Sequence, residues 1–204
     1  MNFLAHLWLT DQARLPLAGA ILGDVLHGAL PPHMPAPLAR AVQFHRVVDA
    51  HTDRHPRVAR ARAGFAPGAR RYAGIVLDVV FDHALACDWA AFSPEPLARF
   101  ADRAARDVHD GAAWFEHAGD AAPDPARFSA LLQSYATAAG IDRAIRRTAG
   151  RLRVPEGLLQ AAAGWRRHVT RLREDLPVLL ADLERVWAEH DTFTIASRPD
   201  QGLM

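Results

Sequence analysis

The chain has 204 residues, half of them hydrophobic, and a formal net charge of +1 at pH 7. This length predicts one domain, residues 1–204, with a sizeable core, and the near-neutral charge argues against a nucleic-acid partner. The single cysteine, Cys87, excludes an intramolecular disulfide and a thiolate metal cluster, and we expect it to lie in the core.

Apolar residues recur at helical spacing along the chain, and no long stretch alternates polar and apolar residues as a half-buried strand would. We therefore predict an all-α fold, a single-domain helical bundle. Prolines behind capping residues, as in Ser93-Pro94 and Asp124-Pro125, indicate helix starts, and Pro177 should break or kink the last helix. The predicted helices cover 2–10, 17–26, 37–52, 56–63, 70–89, 94–110, 125–139 and 155–190.

The opening of the chain does not have the pattern of a secretory signal, because Asn2 and His6 interrupt its apolar stretch. The most apolar stretch, residues 15–30, is shorter than the roughly 20 residues of a membrane-spanning helix and contains Asp24 and His27. The sequence therefore predicts no membrane segment and a cytoplasmic location.

The acidic residues are distributed unevenly. The first ninety residues hold seven aspartates and no glutamate, whereas all six glutamates come later. Aspartate is a poorer helix-interior residue than glutamate, so Asp24, Asp49, Asp78 and Asp82, which lie in predicted helices, need a reason beyond solubility. This asymmetry favours a functional role for the early aspartates.

Polar residues four apart, which share one helix face, occur in three early helices. The pairs are Asn2 with His6, His45 with Asp49, and Asp78 with Asp82. Two carboxylates on an apolar face repel each other unless a proton, an arginine or a cation compensates, and Asp78 with Asp82 favours a functional site most. Imidazole and carboxylate ligands suit manganese, iron, magnesium or zinc, which would activate a water molecule.

Simpler interpretations exist for the individual residues. A hydrogen-bonded core histidine would explain His6, and a surface pair would explain His45 with Asp49. Asp24 fits the end of a helix equally well, and Arg46 fits an ion pair as well as a phosphoryl contact. The sequence contains no glycine-rich phosphate loop, dinucleotide fingerprint or serine elbow, which argues against those enzyme classes.

All 24 basic residues are arginines, which bind phosphate and carboxylate groups through two parallel hydrogen bonds. A high-GC coding bias is sufficient to explain their number. Two groups lie close together in the sequence and form either a docking face for an acidic partner or a solvated helix surface. They are Arg143, Arg146, Arg147, Arg151 and Arg153, followed by Arg166, Arg167, Arg171 and Arg173.

Four short blocks in the first ninety residues carry a specific pattern. They are Asn2-Phe3-Leu4-Ala5-His6-Leu7, Gly23-Asp24, His45-Arg46-Val47-Val48-Asp49 with Thr52-Asp53, and Leu77-Asp78 with Asp82-His83. The pattern resembles the acyl carrier protein phosphodiesterase family. The rest of the chain agrees with that family mainly in length and helical character.

The resemblance implies a helical fold distantly related to HD-domain phosphohydrolases. It implies hydrolysis of the phosphodiester between 4'-phosphopantetheine and a serine of holo acyl carrier protein, an acidic partner, with manganese as the usual cofactor. By motif position it implies two sets of site residues. The metal ligands would be Asp24, His45, Asp49, Asp78 and Asp82, and the catalytic residues would be His6, Arg46 and His83.

The expected mechanism is in-line attack of a metal-activated water on phosphorus. Arg46 would contact a phosphoryl oxygen, and His83 or His6 would protonate the departing serine oxygen. Two positions depart from the family pattern, which often has a second histidine at Trp8 and a second arginine at Val47. These differences bear on carrier recognition more than on the metal chemistry.

Two other functions fit the same residues. One is an HD-type phosphohydrolase that acts on a nucleotide or another small phosphate ester. The other is a helical metal-binding protein without catalysis, although the Glu-x-x-His pattern of many helical metal centres is missing. The sequence predicts no particular oligomeric state.

Overall fold

The computed structural model describes the backbone of residues 2–196 and the side chains of residues 2–191. Within this range the chain forms twelve α-helices, one short 3-10 turn at Pro67–Ala69 and no β-strand, which confirms the predicted all-α fold. The helices are α1 (Phe3–Gln12), α2 (Ala18–Val25), α3 (Ala36–Arg54), α4 (Pro56–Ala63), α5 (Arg70–Cys87), α6 (Trp89–Phe92), α7 (Leu97–Asp110), α8 (Ala112–His117), α9 (Pro125–Ser134), α10 (Ala138–Ala149), α11 (Pro155–Ala162) and α12 (Arg166–Ala196).

Helix α5 is the centre of the fold and packs against α1, α4, α10, α11 and α12. Its Val76, Leu77, Val80 and Phe81 are completely buried, as expected for a helix that is apolar on most of its surface. Each such side chain contributes roughly 1.5–3 kcal/mol through burial. Among the described residues, no helix combines the length and hydropathy that crossing a bilayer requires.

Helices α2 and α3 approach closely because glycines of α2 face α3. A Cβ atom at Gly19 would lie 2.2 Å from the Cβ of Ala41, which is far too close for two carbon atoms. Four residues later, a Cβ at Gly23 would lie 2.2 Å from Cγ of His45. The two glycines therefore bring the end of α2, which carries Asp24, against the middle of α3.

Three helices were not predicted, and the largest of them is α10. Its residues Ala138–Ala149 fall mostly in the predicted connection after residue 139. The start of α10 is nevertheless capped, because the Thr137 hydroxyl accepts a hydrogen bond from the Gly140 amide. Helices α6 and α8 were also missed. The predicted helix 155–190 is two helices, α11 and α12, separated by residues 163–165.

Pro177 and Cys87 differ from expectation. Helix α12 continues through Pro177, so the predicted break is wrong, because the apolar face that includes the buried Leu176 and Leu179 keeps the helix against the core. Cys87 is exposed, not buried, because it is the last residue of α5. The next residue, Asp88, already pairs with Arg173 at the surface.

Candidate metal centre

Two histidines and an aspartate from α1 and α3 form one cluster. Nε2 of His6 lies 3.0 Å from Oδ1 of Asp49, and Nε2 of His45 lies 3.2 Å from Oδ2 of Asp49. The two imidazole rings stack, with centroids 4.1 Å apart. One donor atom of each residue lies within 4.8 Å of the other two, close enough for all three to bind one cation.

Helix α2 holds His45 in one orientation. The Nδ1–H of His45 donates to the Ala20 carbonyl at 2.7 Å, and the ring occupies the space that a side chain at Gly23 would need. Nε2 therefore faces Asp49 and Asp24, whose Oδ1 lies 3.4 Å away. An imidazole anchored through one nitrogen to a backbone carbonyl, with the other nitrogen facing carboxylates, is typical of metal ligands.

Burial and the carboxylates together set the charges of the cluster. Burial disfavours the charged form of His45, but hydrogen bonds to Asp24 and Asp49 outweigh it and raise the pKa of His45 to about 9. Burial lowers the pKa of His6 to about 4, and the nearby His45 adds to this effect. Burial opposes ionisation of Asp49, but hydrogen bonds from both histidines hold its pKa far below the usual range. At pH 7 these residues by themselves are neutral His6, protonated His45 and ionised Asp49.

A cavity of about 270 Å³ opens beside the cluster. Thr52 lies in its wall with 3% of its surface exposed, and its Oγ1 has no hydrogen-bond partner among the described residues. A buried hydroxyl without a partner costs free energy, so this atom points to a bound ligand or water. The polar lining consists of Asn2, Asp24, Asp49, Thr52, Asp53 and Asp78. Of these aspartates, Asp53 also pairs with Arg62.

Two further cavities have wall residues in common with this one or with each other. The second, of about 280 Å³, shares Asn2, Asp24 and Asp78 with the first and also includes Arg147 and Arg151. The third, of about 420 Å³, shares Arg147 with the second and is lined by other arginines. We call these three neighbouring cavities, which share wall residues, the cleft. Aspartates line the first cavity, aspartates and arginines line the second, and arginines line the third.

The structure brings five of the eight predicted site residues together. His6, Asp24, His45, Asp49 and Asp78 all belong to the cluster or line its cavity. They come from α1, α2, α3 and α5, so no single sequence motif contains the centre. The other three predicted residues, Arg46, Asp82 and His83, lie elsewhere.

Asp82 is completely buried and accepts hydrogen bonds from the first turn of α1. The Leu4 amide donates to Oδ2 at 2.8 Å, and the Ala5 amide donates to Oδ1 at 3.0 Å. Both carboxylate oxygens therefore satisfy N–H groups that the start of a helix leaves open. Burial raises the pKa of Asp82 to about 7, although these two hydrogen bonds oppose the rise. In this position Asp82 fixes the turn of α1 that precedes His6.

His83 and Arg46 also bind the backbone. Nδ1 of His83 donates to the Tyr135 carbonyl at 2.7 Å. The guanidinium of Arg46 donates to the carbonyls of Leu26 and Gly28, at 2.7 and 2.9 Å, and so holds the segment after α2. Neither side chain is among the described residues that line the three cavities.

Sequence reasoning missed the role of Tyr135. The side-chain amide of Asn2 donates to the Tyr135 hydroxyl at 2.8 Å, and both residues line the second cavity. Burial raises the pKa of Tyr135 well above its usual value, so the hydroxyl stays protonated at neutral pH. Tyr135 follows α9, in the half of the chain without a recognisable motif, so only the fold shows that it belongs here.

The two positions that depart from the family pattern lie outside the cleft. Trp8 is buried, and its indole N–H donates to the Phe92 carbonyl. Val47 is partly buried and packs against the core. Neither belongs to the described lining of the three cavities, so these departures leave the cleft wall itself unchanged.

Known proteins resemble this chain over different lengths. The profile of the family described as acyl carrier protein phosphodiesterase matches residues 1–183. The acyl carrier protein phosphodiesterase of Salmonella agona (strain SL483) is 42% identical over 101 residues, which are 49% of this chain and 52% of that protein. The protein of the same name from Enterobacter sp. (strain 638) is 43% identical over 101 residues, with the same coverage of 49% and 52%.

These similarities extend beyond the early motifs. The chain spans about half the length of the curated relatives it matches, whereas the family profile continues to residue 183. No solved structure gives a significant match to the chain. Because the family profile covers most of its length, the chain belongs to the acyl carrier protein phosphodiesterase family.

Proposed function

We propose that this chain hydrolyses the phosphodiester that joins 4'-phosphopantetheine to a serine of holo acyl carrier protein. Water adds to phosphorus, the bond to the serine oxygen breaks, and the products are apo carrier protein and 4'-phosphopantetheine. Family membership supports this reaction. The observation that carries it is the His6, His45 and Asp49 cluster beside the aspartate-lined cavity of a cleft whose other two cavities contain arginines. We further propose that the reaction takes place in the cytoplasm.

The cluster fits a divalent cation, and we propose manganese, with iron, magnesium or zinc as alternatives. His6, His45 and Asp49 would hold it, and Asp24 and Asp78 would add carboxylates from the cavity wall. Imidazole and carboxylate groups without thiolates suit these metals. When bound, such a cation would raise the acidity of a nearby water and offset the charge of the phosphoryl oxygens. The unpartnered Thr52 hydroxyl supports a ligand in the same cavity.

The residues of the cluster have different tasks. Asp49 accepts hydrogen bonds from His6 and His45 and so sets the separation of the two rings. His45 must lose the proton at Nε2 before that nitrogen can bind a cation, because its raised pKa retains the proton at pH 7. The lowered pKa of His6 keeps it neutral, which suits a ligand better than a proton donor. We therefore assign His6 to cation binding.

Arg46 and His83 receive no direct part in this proposal, because their shortest hydrogen bonds are to backbone carbonyls and neither residue is among the described lining of the three cavities. Asp82 acts as a positioning residue for α1 through its hydrogen bonds to Leu4 and Ala5. Because His6 is assigned to cation binding and His83 binds the Tyr135 carbonyl, we assign protonation of the departing serine oxygen to solvent water. Asp24, which is half exposed, shows that the cleft is open to solvent.

The direct test is mass spectrometry of holo carrier protein after incubation with this protein and Mn²⁺. We expect the carrier to lose the mass of 4'-phosphopantetheine, and we expect Asp49→Ala to abolish the loss. Asp110→Asn, on the exposed surface of α7, is the matched control and should leave it unchanged. An unchanged carrier together with release of phosphate from nucleotides would support an HD-type phosphohydrolase instead. A tightly held metal without turnover of either substrate would support a binding protein.

A further inference from the structure

Four arginines in the cleft have no ion-pair partner among the described residues: Arg127, Arg143, Arg147 and Arg151. Many other arginines of this chain form ion pairs, for example Arg40, Arg57, Arg103, Arg166 and Arg173. An arginine that is left without a carboxylate inside a cavity keeps its charge and all its donors available for an anion.

Helix α10 divides its arginines between two faces. Arg143 and Arg147 are four residues apart in α10, so the helical repeat places them in one row, and Arg151 lies in the turn that follows the helix. Arg143 and Arg147 line the cleft, and Arg151 joins Arg147 in the second cavity. Arg146 instead lines a separate cavity of about 130 Å³, which it shares with Arg166 and Asp142.

Arg146, on the other face of α10, and the neighbouring Arg166 lie near the carboxylate of Asp142. A hydrogen bond from the Trp165 indole lowers the pKa of Asp142, and the nearby Arg166 and Arg146 add to this effect. Arg166 lies 3.2 Å from Oδ2 of Asp142. The first basic group recognised in the sequence is therefore divided, with Arg146 beside Arg166 of the second group and Arg147 in the cleft. Arg147 and Arg151 share a cavity with Asp24 and Asp78, which also line the cavity beside the metal centre.

We propose that Arg147 and Arg151 form an anion-binding subsite that holds the non-bridging oxygens of the substrate phosphodiester. This inference rests on the proposed function and specifies how the cleft binds the reacting group. The second cavity contains both arginines together with Asp24 and Asp78, so a phosphate held there lies next to the candidate metal centre. Guanidinium groups bind phosphate through paired hydrogen bonds of defined geometry.

The charge distribution along the cleft orients the substrate. The four aspartates of the first cavity attract a cation and repel an anion. The second cavity has only two of these aspartates, Asp24 and Asp78, and adds Arg147 and Arg151, which attract an anion. The Tyr135 hydroxyl, which accepts a hydrogen bond from Asn2, adds a neutral donor to the same wall. The nearby charge of Arg147 partly offsets the burial that raises the pKa of Tyr135.

The experiment compares Arg147→Gln and Arg151→Gln with Arg146→Gln. All three residues are exposed, and each change removes one positive charge. Arg146 is the residue next to Arg147 in α10 but lines a different cavity, so it controls for the loss of charge. Inorganic phosphate is titrated into each protein without added metal, and binding is followed by calorimetry. The kcat/KM for holo carrier protein is then measured with Mn²⁺. Circular dichroism and thermal melting verify that each variant is folded.

We expect each cleft variant to weaken phosphate binding and lower kcat/KM by about tenfold, the usual effect of one lost charged hydrogen bond. The Arg146→Gln protein should stay within about twofold of wild type in both measurements. Equal losses in all three variants would mean a general effect of surface charge and would overturn the proposal. Failure of the wild type to bind phosphate would overturn it too, even if holo carrier is hydrolysed.

The two proposals can fail separately. If phosphate binding falls in Arg147→Gln and Arg151→Gln but wild type releases no 4'-phosphopantetheine, the anion subsite stands and the proposed function is wrong. If wild type hydrolyses holo carrier protein and the cleft variants match Arg146→Gln, the reaction stands and the subsite is wrong.

Discussion

His6 of α1 and His45 of α3 stack with their ring centroids 4.1 Å apart, and Asp49 accepts a hydrogen bond from each. Two protonated imidazoles would repel each other at this distance. The fold avoids this because burial and the charge of His45 keep His6 neutral, whereas Asp24 and Asp49 favour a charged His45. This arrangement of one neutral ring, one charged ring and a shared carboxylate determines the first, third and fourth predictions below.

Replacing Asp49 with asparagine should impair cation binding and catalysis together. The amide removes the negative charge that both histidines contact, and only one of its two polar atoms can accept a hydrogen bond. We expect Mn²⁺ affinity and kcat/KM for holo carrier protein to fall by about 100-fold or more. Calorimetric titration with Mn²⁺ and steady-state kinetics would measure these losses. Unchanged Mn²⁺ affinity would show that the cation binds elsewhere.

Substitution of Gly23 by alanine should displace His45. The new Cβ would lie 2.2 Å from Cγ of His45, so the ring or helix α2 must move. We expect a loss of about 1–3 kcal/mol in the free energy of unfolding, as for other overpacked sites, together with weaker Mn²⁺ binding. Gly68→Ala is the control, because a Cβ at Gly68 would meet nothing within 4 Å. Chemical denaturation of both variants would test this, and equal stability would refute the predicted clash.

Cation binding should strengthen as the pH rises. The folded protein raises the pKa of His45 from 6.5 to about 9. Below about pH 9, a cation that binds Nε2 must therefore displace a proton from it. Mn²⁺ affinity should therefore increase by up to about tenfold per pH unit and level off near the pKa of His45. Titrations at several pH values, with proton release measured in buffers of different ionisation enthalpy, would test this. An affinity independent of pH above 6.5 would exclude His45 as a ligand.

The same histidine should affect folding in the opposite direction when no metal is added. The folded protein retains a proton on His45 that the unfolded chain loses near pH 6.5. This contribution to stability is complete below pH 6.5 and disappears as the pH rises through about 9. Urea denaturation across that range would reveal the decline, and His45→Gln should reduce it.

Asp82→Asn should distinguish a structural role of Asp82 from the ligand role that the sequence suggested. The amide can accept only one of the hydrogen bonds from Leu4 and Ala5, so we expect a loss of about 1–3 kcal/mol in the free energy of unfolding. Mn²⁺ affinity should fall much less than in Asp49→Asn. Comparable losses of Mn²⁺ affinity in the two variants would instead place Asp82 among the ligands.

Asp82 should also leave a signature in the pH dependence of stability. Its pKa rises from 3.8 to about 7 in the folded protein, so the folded state binds the proton more tightly than the unfolded chain does. The resulting stabilisation is present below about pH 3.8 and is lost as the pH rises through about 7. Asp82→Asn should therefore flatten the fall in stability between these pH values. An equally steep fall in the variant would assign the effect to another group.

Local patterns in the sequence determined much of this protein. Helical spacing predicted the all-α fold, and the offset of four residues predicted the contact between His45 and Asp49, because a helix brings such residues onto one face without help from other elements. The apolar run of α5 likewise predicted its burial. The family motifs named the residues of the centre but did not show which of them meet.

Only the tertiary structure decided which separate helices contribute to the cleft. It brought His6 to His45, directed Asp82 to the amides of α1 and kept it out of the cavity, and added Tyr135 and Arg147 from segments without a motif. Spacing along one helix is a local property of the backbone, whereas contacts between helices depend on how their buried faces pack. The sequence does not show which arginines of α10 face the cleft. The packing of that helix places Arg147 in the cleft and Arg146 in a separate cavity.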